Sequence, residues 1–280
     1  SDTFTMGAPA GGTLMDALVA HGLSWRSYFT DLPALSIVPQ NLINHPFNFS
    51  PVAQFFVDAA LGTLPSVSFV DPEFGLVNEV GSTLFNGLNG IPGLPASVRD
   101  SLNDLAGRVR SLGGDEENPQ DIAIGENFVS LIVNAVLNSP QWERTLLVWT
   151  YDEHGGYYDH VAPPRAAIPD DIPPGLGADD VAGAYDLFGP RVPTVVASPY
   201  SHAHGVSNVA HDHTAVIATI ASKWNLPALT WRDANSPTLL SYLDLESPPA
   251  LLTPPTLAAP GTPALGLFNC RTNPATPVIE

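Results

Sequence analysis

An apolar run rich in β-branched and aromatic residues, Thr145-Leu146-Leu147-Val148-Trp149-Thr150-Tyr151, stops at two carboxylates, a histidine and two glycines, Asp152-Glu153-His154-Gly155-Gly156. Apolar residues at nearly every position predict a buried strand. The glycines let the chain fold back at its end, so the strand would deliver charged groups to a crevice. No other stretch of the sequence concentrates so much chemistry.

The flanking segments set the expected fold class. Phe128, Leu131, Ile132, Ala135 and Val136 recur at helical spacing within 122–139, before Pro140, and predict an amphipathic helix feeding the strand. A second helix is predicted over 11–22, capped by Thr13 and stopped by Gly22, followed by a strand over 23–29. After the opening strand, Arg191–Tyr200 reads as another strand, with Pro193 at an edge or at the strand start, and 214–224 reads as a helix. This alternation is that of an α/β protein whose sheet is covered on both faces. Pro33, Pro39, Pro46, Pro51, Pro65, Pro72, Pro92 and Pro95 interrupt the region 31–111, which is expected to be a cap or insertion with a few helices, with Val67–Val70 as a short strand. Residues 161–190 read as a loop long enough to be a functional surface. The expected organisation is one domain over 1–245 and an irregular tail over 246–280.

Charge and cysteine content narrow the function classes. Ten Lys+Arg against 28 Asp+Glu give a formal charge of -18, which disfavours nucleic acid and anionic membrane surfaces as partners. An anionic substrate would need a local cation to offset that field. A single cysteine, Cys270, excludes an internal disulfide or a cysteine-based zinc site. No apolar run reaches the ~18 residues of a membrane span. The composition, with one lysine, 29 prolines and 23 glycines, suits an exported or cell-envelope bacterial protein. The opening Ser1-Asp2-Thr3 has no basic leader, so the chain is expected to begin inside a longer precursor.

Within this frame, Asp152 and Glu153 are candidate metal ligands, being hard oxygen donors beside an imidazole, His154. A solvated acidic turn is the competing reading. His202, His204, His211 and His213 lie near the end of the second strand and could bind metal or a phosphate oxygen. Equally, Asp212 or Thr214 could simply cap the following helix with His213 in its first turn. Asp159-His160 repeats the acid–imidazole pair, either to orient the first set or only to hold the loop. The acidic run 115–121 is explained by the helix N-terminus it precedes. Absence of Gly-x-Ser-x-Gly, a phosphate-loop Gly-Lys-Ser/Thr, Gly-x-Gly-x-x-Gly and His-Glu-x-x-His removes the best support for serine-hydrolase, kinase, hydride-transfer and zincin readings.

Several of these segments together resemble one family. Gly125-Glu126-Asn127-Phe128, Ser139-Pro140-Gln141-Trp142, the run Tyr151–Val161 with Pro163-Pro164, Phe188-Gly189-x-Arg191-Val192-Pro193, Ser198-Pro199-Tyr200 and Asp212-His213-Thr214 occur in the same order in the phosphoesterase family, which holds non-haemolytic-type phospholipases C and related acid phosphatases. Thr13–Pro33, Trp224–Pro227 and Arg232-Asp233-Ala234 extend the resemblance over most of 11–245. It implies a three-layer α/β/α sandwich of alkaline-phosphatase-like fold that hydrolyses phosphate esters, most simply as a phospholipase C on glycerophospholipids, with acid phosphatase as the alternative. It also implies one divalent or ferric metal ion on Asp152 and Glu153, with His154 and His213 in or beside the phosphate pocket.

Two departures qualify these expectations. The family's Glu-Asn-Arg-Ser-Phe-Asp-His and Pro-Asn-Arg segments, carrying further ligands and the nucleophile, are not found here, and Asn118-Pro119-Gln120 stands where many members carry a histidine before Pro-Pro. The expected partner is therefore an N-terminal part of the same precursor, joined or bound as a separate fragment. A degenerate scaffold or binding protein lacking the nucleophile is the alternative.

Overall fold

Trp25–Phe29 (β1) is the central strand of a three-stranded parallel sheet, flanked by Phe49–Pro51 (β2) and Val67–Val70 (β3) in the order β2-β1-β3. Ser27 aligns with Phe49 on one side and with Phe69 on the other. The computed structural model describes residues 9, 11–72, 116, 122–255 and 257–258. Its contacts divide the chain into two units, one built mainly on Ser24–Trp142 and one on Ala8–Leu23 with Glu143–Thr253.

In the first unit Pro39–Asn44 forms a short helix (α2, α1 being the amino-terminal helix Leu14–Ala20), Val52–Leu61 (α3) packs on β1 and β2, and Ile122–Leu137 (α4) packs on α3. α3 is apolar on almost every side, and Val52, Ala53, Phe55, Phe56, Val57 and Ala59 are all buried. Tyr28 and Phe55 meet edge-on at 5.4 Å beneath it. Gly62, at φ 69°, ends the helix in the left-handed conformation that glycine tolerates best. The carboxylate that α3 itself sends into this core is fully partnered. Asp58 accepts hydrogen bonds from Arg26 Nη1 at 3.0 Å, the Tyr28 hydroxyl at 2.6 Å and Gln54 Nε2 at 2.9 Å. Burial, reinforced by Asp58, holds the Tyr28 phenol protonated well above its ordinary range.

The second unit opens with Leu14–Ala20 (α1), capped by Thr13 in a reciprocal box with Asp16, as the sequence predicts. Gly11 lies so close to Leu229 that a Cβ there would sit 2.5 Å from its carbonyl oxygen. Leu147–Thr150 (β4) pairs with Thr194–Ala197 (β5), Leu147 opposite Ala197 and Thr150 opposite Thr194. Thr214–Trp224 (α5) and Trp231–Ala234 (α6) follow and pack on one another. Past Leu245 the described chain is irregular, pinned where the Leu251 N–H donates to the Pro199 carbonyl at 3.1 Å. No helix among the described residues is long and apolar enough to cross a membrane.

Mixed helix and parallel sheet make this an α/β protein, and the structure departs from the sequence reading or adds to it in three places. Residues 49–51 and 67–70, inside the region read as cap or insertion, pair directly with β1, and 73–111 lies outside the described residues. β4 and β5 run antiparallel, because their connection over 151–193, all of it described, contains no helix to carry the chain back for parallel pairing. β4 is half-buried at every position rather than buried, since among the described residues its ladder contains only two strands. Most of the acidic run 115–121 falls outside the described residues, Glu116 excepted.

Asp71, just past β3, yields a stability prediction. Its carboxylate accepts the Ala34 N–H at 3.0 Å and the Ser27 hydroxyl at 3.5 Å, yet burial outweighs both and pushes it up to about 6 from 3.8. A raised acid titrates later in the folded state than in the unfolded chain. Its stabilising contribution is therefore complete below about pH 4 and lost as pH rises through about 6. Asp71→Asn mimics the protonated form and is expected to be more stable than the parent by about 1–3 kcal/mol near neutral pH, with no advantage below about pH 4. Denaturant unfolding at the two pH values checks this, and a pH-independent difference would contradict it.

Candidate functional site

The chain leaves β4 through a turn that the residues at 152–157 build for themselves. Asp152 Oδ1 accepts the Glu153 N–H at 2.9 Å, Glu153 Oε2 accepts the Gly155 N–H at 2.8 Å, and the His154 carbonyl accepts the Tyr157 N–H at 3.0 Å. Gly155 and Gly156 take φ of 62° and 74°, a mirror-image turn that other residues enter with strain. A Cβ at Gly155 would also come within 3.2 Å of the Tyr157 ring. His154 Nδ1 lies 2.9 Å from the Tyr157 carbonyl. A carbonyl only accepts, so the proton sits on Nδ1 and the lone pair of the neutral ring on Nε2.

His213 reaches the same place from a distant part of the sequence. It stands at the N-cap of α5, and its Nε2–H donates to the Tyr151 carbonyl at 2.7 Å, one residue before Asp152. Asp212 holds it there. Its Oδ1 accepts the Thr214 backbone N–H at 3.0 Å and the Thr214 hydroxyl at 2.5 Å, which fixes the first turn of α5 just beyond His213.

Asp159 closes the loop that follows. It accepts the Arg191 backbone N–H at 3.0 Å, Nε at 2.8 Å and Nη2 at 2.9 Å, together with the Val161 N–H at 3.0 Å. These bonds, led by those of the Arg191 side chain, hold the carboxyl well below the usual carboxylate range and raise Arg191. His160 Nδ1 is 3.7 Å from Asp159, a looser contact. Between this pair and the turn lies an open groove of about 480 Å³, lined by His154, Tyr157, Tyr158, His160, Arg191 and the prolines beside β5.

Arg232 on α6 is the residue that isolated reading of the sequence misses. Nε donates to the Ala167 carbonyl at 3.0 Å, Nη2 to the Tyr185 carbonyl and Nη1 to Asp212 at 3.3 Å, and its guanidinium lies 5.8 Å from the Phe188 ring centre. The loop 161–190 is thus fastened to the carboxylate that positions His213. Arg165 pairs with Asp186 across the loop, and the Phe188 N–H donates to the Pro164 carbonyl at 3.0 Å. The only local signal for these roles is scarcity, because ten cations in the whole chain leave few for so acidic a loop.

The carboxylates fit a metal ion as part of a ligand set. Asp152 and Glu153 each engage one oxygen in the turn and keep the other, whereas zinc takes about four ligands, magnesium about six and calcium about six to eight. Among the described residues no group of three or more His, Cys, Asp or Glu is arranged to hold a metal. The other three candidate histidines, His202, His204 and His211, lie outside the turn and the groove. His211 faces the Val209 and Thr238 carbonyls and lies 5.6 Å from the Tyr242 ring centre, the His202 N–H donates to the Tyr242 carbonyl at 3.0 Å, and His204 is exposed.

Comparison with known proteins adds independent findings. Residues 2–227 match the model of the Phosphoesterase family. Non-specific phospholipase C6 of Arabidopsis thaliana is 32% identical over 259 residues, covering 88% of this chain and 43% of the relative. Non-specific phospholipase C1 of the same plant is 30% identical over 250 residues, covering 85% and 41%. Phospholipase C A of Mycobacterium tuberculosis is 32% identical over 245 residues, covering 81% and 42%. The chain therefore spans less than half the length of each of these relatives.

The Arg232 junction predicts a separable defect. Arg232→Ala removes charge-assisted bonds to three oxygen acceptors and is expected to cost about 2–4 kcal/mol, with faster proteolytic nicking inside 161–190 than elsewhere. Unchanged cleavage in that loop would contradict the fastening role.

Proposed function

The chain belongs to the Phosphoesterase family, and from that premise we propose that it carries part of the site of a metal-assisted phosphoester hydrolase, a phospholipase C acting on glycerophospholipids. The observation that carries this reading is the turn after β4, where two carboxylates each keep a free oxygen and His213 is docked one residue away. We read the α/β fold as an alkaline-phosphatase-like three-layer sandwich, supported by its parallel sheet and helices, and the protein as an exported one, on its composition.

In this reading Asp152 and Glu153 hold a divalent or ferric ion jointly with other ligands. When bound, the ion neutralises phosphoryl charge and lowers the pKa of an attacking hydroxyl. His154 keeps its proton on Nδ1 through the Tyr157 carbonyl, so Nε2 can take a proton and return it to the departing alkoxide oxygen. His213, with Nε2–H fixed on Tyr151, leaves Nδ1 as its free nitrogen and holds the end of β4 in register with α5. None of these four residues is the attacking hydroxyl. Phospholipase C is preferred over acid phosphatase because the compared relatives bear that name. A second reading, a non-catalytic scaffold, draws on the lack of a three-ligand cluster among the described residues.

Asp152→Asn is expected to lower turnover of a phosphorylcholine ester by about 100-fold or more. Because Asp152 is exposed, the circular dichroism spectrum and unfolding midpoint should match the parent. Turnover at the parental rate in that variant, measured in the full enzyme that contains this chain, would sink the ligand assignment.

A further inference from the structure

A chain of formal charge -18 repels anions wherever it does not offset its own field locally. Arg191 is placed to do that beside the turn. Its side chain is 61% exposed and lines the groove together with its partner Asp159 and with His154 and His160. Nε and Nη2 are both committed to Asp159, at 2.8 and 2.9 Å, which occupies the side-on edge of the guanidinium. A guanidinium has five N–H donors and a second, end-on edge. Both Nη1 hydrogens and one on Nη2 therefore remain, in a fork whose spacing matches two oxygens of an oxyanion. Asp159, with a side chain only 10% exposed, fixes the direction of that fork, so little ordering is left for a ligand to impose. Arg232 offers no comparable edge, since its Nε, Nη1 and Nη2 are all engaged.

We propose that the end-on edge of Arg191, aimed by Asp159 into this groove, is a binding site for the phosphate oxyanion of the substrate, with the imidazoles of His154 and His160 on its walls. The identity of the anion rests on the phosphoester reading. The site itself rests on the groove and the half-used guanidinium.

The competing role for Arg191 is a staple that only closes the loop, and two substitutions that break the same ion pair separate the roles. Arg191→Gln removes the fork, whereas Asp159→Asn releases it with its charge intact. The full-length protein, stripped of metal, is titrated with inorganic phosphate and followed by calorimetry and phosphorus NMR. Arg191→Gln is expected to weaken phosphate binding by about 10-fold or more, as loss of a charged hydrogen-bonded pair does. Asp159→Asn, which leaves the guanidinium charged but less firmly aimed, should weaken binding by clearly less than Arg191→Gln does. Arg165→Gln, which removes equal charge from the Asp186 pair, should leave affinity unchanged. Equal weakening by Arg191→Gln and Asp159→Asn, equal weakening by Arg165→Gln, or no binding by the parent would each overturn the proposal. If Arg191→Gln does not fold, Arg191→Lys, which keeps the charge but not the fork, takes its place, a comparable loss supporting the site and parental affinity overturning it. Phosphate bound at Arg191 by a protein that cleaves no ester would leave this site standing and remove the hydrolase reading.

Discussion

The second unit depends on one carboxylate. Asp159 accepts a backbone N–H and two side-chain N–H groups from Arg191 and a further N–H from Val161, so the chain leaving β4 is tied to the residue that leads into β5. Antiparallel β4 and β5 join through a connection of more than forty residues, a length at which the entropy of an open loop would otherwise set the geometry. The tie divides it. On one side stands the Asp152–Tyr157 turn, closed by its own hydrogen bonds, and on the other the loop fastened by Arg165–Asp186 and Arg232.

That division lets an acidic chain place its few cations where they act. Arg165, Arg191 and Arg232 each meet a carboxylate, and each also orders a stretch with no regular structure of its own. Arg232 does most by linking the loop to Asp212, which in turn fixes Thr214 and the start of α5, from which His213 reaches Tyr151. Position at the end of β4 is therefore decided by polar contacts between remote segments rather than by a deep apolar core. The first unit is the opposite case. There, apolar α3 and the aromatic side chains of β1 form the core, and the carboxylate of α3 that enters it, Asp58, is satisfied by Arg26, Tyr28 and Gln54.

What could be read from the sequence follows the same line between local and remote. Thr13 capping α1, the start of β5 just after Pro193 and the span 214–224 of α5 are set by neighbours in sequence, and each matches its prediction. The Asp152–Gly156 turn was equally legible, because its hydrogen bonds span three residues or fewer. Strand pairing was not. An apolar run states that a strand wants cover but not which way its partner runs, so the antiparallel sense of β4 and β5, and the union of 49–51 and 67–70 with β1, lay beyond it. Arg232 with Tyr185, Asp159 with Arg191, and His213 with Tyr151 are separated by 47, 32 and 62 residues, so no local pattern pairs them.

The central claim is that the end of β4 presents Asp152 and Glu153 as ligands to a catalytic metal, in a turn whose shape does not itself require that metal. Calorimetric titration of the metal-stripped full-length protein that contains this chain with divalent cations tests it most directly, with Glu153→Gln run beside the parent. The account predicts one ion bound per chain, with affinity at least about 10-fold lower in the variant. Identical isotherms for the two proteins, or no binding by the parent, would contradict it.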